Sequence, residues 1–228
     1  MLRQERDAVA AIAPTLFGYQ LIQLGRLGPD LEYLAACPIR SRTVVTATPM
    51  AACEAAQVQG VPERLPIATD SADAVVMPHT LDLAGDPPQV LREVERVLIP
   101  EGRLVVIGFN PWSLWGLRRA LGGRGSPPWS CHFIGYPRLH DWLNLLGFAI
   151  ERTDVLMFRP PVSHPALLER LAFLDRQGAR LWPMLAGVYV VQAIKRVSTL
   201  TPITLPWRRR PLIRAGAIEP SARGLRHG

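Results

Sequence analysis

Residues 65–112 constrain the fold of this chain more than any other stretch. Ala74–Met77 is a short apolar run of β type, and Val90, Leu91, Val94, Val97 and Leu98 then recur at helical spacing. Pro100-Glu101-Gly102 breaks that helix sharply, and Leu104–Ile107 is a second apolar strand. A strand, a covering helix and a second buried strand make a βαβ unit, which demands a parallel sheet and an α/β fold.

The detail goes further than the topology. Leu65-Pro66-Ile67, Ser71-Ala72-Asp73, Leu91-Arg92-Glu93, Arg96-Val97-Leu98 and Pro100-Glu101-Gly102 together closely resemble the second half of a class I S-adenosylmethionine (SAM)-dependent methyltransferase of the type 11-like kind. The resemblance implies a Rossmann-like α/β fold, a seven-stranded, mostly parallel sheet with helices on both faces, closed by an antiparallel last strand. It spans residues 15 to 195. Gly108-Phe109-Asn110-Pro111, with Ser113 and Leu117-Arg118-Arg119 after it, is similar to an uncharacterised bacterial branch of that superfamily. A nicotinamide-dependent oxidoreductase is disfavoured, because no GxGxxG follows a strand.

Around the central unit, Gln20–Leu24 and Thr43–Ala47 read as the first two strands, with helices at Asp30–Ala36 and Pro49–Gln57. Residues 109–135 have no clear periodicity. Tyr136–Leu146 is a helix closed by Gly147 as its C′ residue. Phe148–Met157 and Val188–Ile194 are the last two strands, and Pro165–Leu181 between them is an amphipathic helix. The domain thus covers 1–196, with a lid at 109–135 and an insertion at 158–186, followed by a tail at 197–228.

Charge separates the tail from the fold. Residues 195–228 hold eight Lys/Arg against Glu219 alone, whereas residues 1–194 balance. With its prolines and few large apolar residues, the tail reads as a disordered solubilising extension or as an electrostatic tether to nucleic acid or an acidic membrane. Acidic residues Glu5 and Asp7 argue against a signal peptide, and the longest apolar run near the C-terminus, Leu181–Ile194, is too short to span a bilayer. A cytoplasmic protein is expected. Three scattered cysteines without CxxC spacing make a metal site an unfavoured reading.

The resemblance also assigns a cofactor, SAM, bound outside the carboxyl ends of the strands. Gln23, Gly25 and Gly28 stand in the first turn, Thr48 at the ribose position after the second strand, and Glu63, Arg64 and Leu65 after the third. Leu27 stands where the family has a second glycine, and Thr48 and Val61 where it has acids. Two lost charge-assisted bonds, uncompensated, would weaken binding by about 3–6 kcal/mol, or about two to four decades. After the fourth strand, His79 and Asp82 are the candidates to meet the sulfonium or the acceptor, His79 serving otherwise as a strand cap or adenosine contact. Asn110, Trp112, Trp115 and Trp129 mark either a substrate cover or a lid packed on the sheet. The expected activity is methyl transfer to a small-molecule or RNA-associated acceptor. The alternative is a non-catalytic scaffold recruited to nucleic acid by its basic tail.

Overall fold

The computed structural model describes residues 2–25, 37–47, 56–122, 125, 128–161, 171, 175, 177–178 and 182–197. Seven strands, β1 (Gln20–Leu24), β2 (Ser41–Thr46), β3 (Ala56–Gln59), β4 (Ala72–Pro78), β5 (Leu98–Phe109), β6 (Phe148–Leu156) and β7 (Val188–Lys195), form one sheet in the order β3-β2-β1-β4-β5-β7-β6. The first five run parallel, and β7 enters antiparallel between β5 and β6. This is the arrangement the sequence leads one to expect. Residues 1–197 are one compact unit, and the basic tail from 198 lies outside the described residues.

Strict alternation sends the strand residues to two apolar layers. Ala74 and Val76 of β4 and Val105 and Ile107 of β5 face α1 (Leu2–Ile12), through Val9 and Ile12, and the 3-10 turn that follows it. Val75, Met77, Leu104 and Val106 face the other way, onto α3 (Pro87–Val97) and α5 (Tyr136–Leu145). Asp86 caps α3 by accepting from Gln89 N, and Gly147 closes the end of α5 at φ +79°.

The residues that carry the sequence resemblance turn out to be structural ties. Glu93 accepts from Leu65 N and pairs with Arg96, whose guanidinium also donates to the carbonyls of Leu65 and Ile67. One side-chain pair on α3 thereby ties down the middle of the loop between β3 and β4. Asp73 accepts from Tyr19 N and Gln20 N, fixing where β1 begins. The chain's single lysine, Lys195, is buried at the end of β7 and donates to the carbonyls of Glu95 and Leu98, where α3 leaves its terminal acceptors open. Lys195→Met is expected to lower the free energy of unfolding by about 3 kcal/mol in urea titration, because the buried Leu98 carbonyl and the half-buried Glu95 carbonyl lose their donor. A loss within measurement error would mean that water replaces the ammonium.

Four expectations change. Helix α3 ends at Val97 and Leu98 already pairs with Ala72, so Pro100-Glu101-Gly102 is a bulge inside β5 rather than a linker before it. Gln57, expected to end a helix, lies in β3 opposite Val44, since ladder bonds to β2 outweigh the local preference. The segment without periodicity contains α4 (Leu114–Leu121), capped by Ser113. Helix α1 arises where only an Ala-rich stretch was read. Asp30–Ala36, the greater part of Pro49–Gln57 and most of Pro165–Leu181 lie outside the described residues.

Candidate functional site

The chain order reverses between β1, which leads outward to β2 and β3, and β4, which leads to β5. The crevice outside the carboxyl ends of these two strands is where an α/β sheet of this kind receives a ligand.

On the β1 side, Gly25 adopts φ +71°, and its N–H donates to Val45 O across to β2. A Cβ at Gly25 would lie 3.2 Å from Thr80 Oγ1, so the turn comes close to the opposite wall. Gln23 is fully buried two residues earlier. Its Nε2 donates to Gly25 O, and its Oε1 finds no hydrogen-bond partner among the described residues. An orphaned buried acceptor is costly unless something else supplies a donor.

On the β4 side, His79 leaves the strand at φ +54° and opens α2 (Thr80–Leu83). Thr80 Oγ1 donates to Leu24 O, which locks α2 to the end of β1. His79 has no exposed surface. Its Nδ1 lies 3.0 Å from Asp82 Oδ2 and its Nε2 3.4 Å from Glu5 Oε1 of α1, and its ring stacks on Phe109 at 3.9 Å. Burial works against the charged ring, but the hydrogen bonds to Asp82 and Glu5 more than offset it and push the pKa up to about 9. Asp82 and Glu5, one at each ring nitrogen, thus favour the protonated imidazole. Asp82, also fully buried, accepts from Phe109 N at 3.0 Å, while its carbonyl accepts from His132 N. Burial raises the Asp82 carboxyl above its ordinary value.

The lid residues divide. Trp115 and Trp129 stack at 5.6 Å, and Trp115 continues the stack onto Phe109. Asn110 donates through Nδ2 to the carbonyls of Met184 and Ala186 and accepts from Trp112 N, whereas the Trp112 ring stands in solvent. Glu63 accepts from Gly85 N, Arg64 closes a tight turn onto Val61 O, and Leu65 is taken by Glu93. Gly28 and Thr48 lie outside the described residues. The structure thus brings together Gln23, Gly25, His79 and Asp82, with Glu63 to Leu65 bracing the neighbouring loop.

Sequence reasoning missed Glu5. The signal was present, since Glu5, Val9 and Ile12 fall on one helical stripe. An acid on an apolar stripe signals a buried partner. Among the described residues no group of His, Cys, Asp and Glu suits a metal ion, and no helix is long and apolar enough to cross a membrane.

The comparisons agree with this geometry. The family model for a methyltransferase domain matches residues 23–106. The uncharacterised protein YafS of Escherichia coli is 37% identical over 136 residues, which are 59% of this chain and 55% of that one. An S-adenosylmethionine-dependent methyltransferase from Mesorhizobium loti superposes with a TM-score of 0.59 at 17% identity, over 82% of this chain and 96% of that one. The [4+2]-cyclase SpnF also scores 0.59, at 20% identity, over 85% and 80% of the two chains. The fold is the Rossmann-like one of class I methyltransferases. Residues 23–106 thus resemble a methyltransferase domain, and the chain spans about half the length of the curated relative it matches.

Proposed function

We propose that this chain is a SAM-dependent methyltransferase acting on a small-molecule or RNA-associated acceptor. The observation that carries the reading is the state of the β1 turn: a positive-φ glycine that clears space, and a buried Gln23 Oε1 with no donor among the described residues. These residues fit SAM, whose amino-acid moiety carries an ammonium donor. Bound there, SAM supplies an already activated methyl on sulfur. The chain's own task is then mainly alignment and water exclusion. Gly25 permits the approach, Gln23 offers the acceptor, and the Thr80–Leu24 bond holds the two walls at fixed separation. His79 and Asp82 meet each other rather than solvent. They are positioning residues, and an acceptor that must lose a proton would need a base from elsewhere.

A saturable rise in thermal midpoint with S-adenosylhomocysteine is the expected result. Gly25→Glu should abolish that shift while the circular dichroism spectrum stays unchanged, because the side chain fills the close approach to Thr80. Undiminished affinity in the variant would remove this turn from the site, and no shift at millimolar ligand would sink the reading.

The second reading is a non-catalytic module recruited to nucleic acid by the basic tail. It draws support from the complete burial of His79 and Asp82. It requires salt-sensitive RNA binding that vanishes when 198–228 are deleted.

A further inference from the structure

We infer that α4 and the turn at 182–185 form a docking surface for an anionic phospholipid membrane. Helix α4 is inverted with respect to an ordinary surface helix. Trp115 and Gly116 point inward, Trp115 into the aromatic stack and Gly116 against the Pro111 carbonyl. The opposite side carries Leu114, Leu117 and Leu121 at i, i+3 and i+7, one stripe facing solvent. Leu117 is 53% exposed and Leu121 80%. The stripe does not stand alone. Asn110 clamps the Trp112 loop to the backbone of Met184 and Ala186, and Trp112 (75%), Trp182 (56%) and Met184 (79%) are exposed there with Leu185. Single exposed apolar residues are ordinary, but a group of this size from two tied segments marks an interaction site.

Charge selects the occupant. Arg118 and Arg119 stand on α4 itself, and neither the sequence from Gly102 to His140 nor that from Arg176 to Val197 holds an acid. A lipid surface with negative headgroups satisfies both components: arginines at the headgroups, leucines and methionine among the acyl chains, tryptophans at the boundary. Single-stranded RNA would match the charge but not Leu117, Leu121 and Met184, which offer no ring on which a base can stack. The inference stands apart from the methyl-transfer reading, since it rests on α4 and the 182–185 turn and not on Gln23, Gly25 or Thr80.

The full-length chain is expected to float with vesicles of phosphatidylglycerol and phosphatidylcholine, and not with phosphatidylcholine alone. Its tryptophan emission should be quenched by brominated acyl chains. Leu117→Ser, Leu121→Ser and Met184→Ser combined should weaken binding by about tenfold or more, with an unchanged far-ultraviolet spectrum. If the triple variant does not fold, Leu121→Glu alone should show the same loss. The inference is overturned by absent vesicle binding. It is also overturned by binding that survives these changes, which would assign it to the basic tail. Concentration-dependent dimers dissolved by the same changes would make the occupant a second copy and overturn it too.

Discussion

Asp82→Ala is expected to destabilise the protein by about 3–5 kcal/mol, the range for removing one partner of a buried ion pair. Three features place it at the upper side of single substitutions. The carboxylate is fully buried, it faces the His79 ring at 3.0 Å, and it also receives the Phe109 N–H. Truncation leaves a buried cation with Glu5 as its nearer remaining counter-charge, and a buried amide that has lost its acceptor. The damage should spread to the ligand site. His79 and Thr80 are consecutive, and Thr80 Oγ1 holds α2 to the last carbonyl of β1 beside Gly25. Weaker binding of S-adenosylhomocysteine should therefore accompany the loss of stability. Asp82→Asn keeps the shape and an acceptor for Phe109 N, and should fall between the wild type and the alanine variant. Urea titration of the three proteins decides the order. A loss below about 1 kcal/mol for the alanine variant would show that the pocket admits water to the ring.

What the sequence reveals of this fold follows from how locally each feature is determined. The unit β4–α3–β5 is legible because an apolar run of β type, a helical period and a breaking Pro-Glu-Gly follow one another in order. Its recognisable residues, Asp73, Glu93 and Arg96, each bond to backbone nearby in space. Helix α4 is illegible for the converse reason. Its leucines lie on the side away from the sheet, so the apolar stripe gives no hint of what the helix packs on, and its attachment runs through Trp115, Gly116 and the arginines instead. Strand β3 exists by virtue of β2, through register pairs such as Val45 with Val58, and such a partner cannot be inferred from four residues. At the site, Gly25 and His79 are visible as a turn glycine and a strand-end residue. The union of His79 with Glu5 is not, because 74 positions separate them and only the packing of α1 on the sheet closes that distance.

That union makes stability fall with rising pH through the neutral range. The folded-state pKa of His79 is pushed up to about 9 from an ordinary 6.5, so the folded protein holds a proton that the unfolded chain releases earlier. The contribution is complete below pH 6.5, declines between 6.5 and 9, and is gone above 9. Its size over that window is on the order of 3 kcal/mol. Burial raises the Asp82 carboxyl as well, so the His79→Gln variant is what assigns the slope to the histidine. The groups facing the ring are Asp82 from α2, Glu5 from α1 and the Phe109 ring from β5; none of them supplies a competing cation. His79→Gln removes the titrating group and should flatten the curve across the window, at the cost of a lower plateau below pH 6.5. Glu5→Gln should leave a slope but a shallower one, since one of the two carboxylates that raise the pKa is gone. Unfolding free energies at several pH values for the three proteins test this directly. A wild-type curve already flat in that window would mean that the folded ring is neutral, and that Glu5 holds α1 through a hydrogen bond without an ionic component.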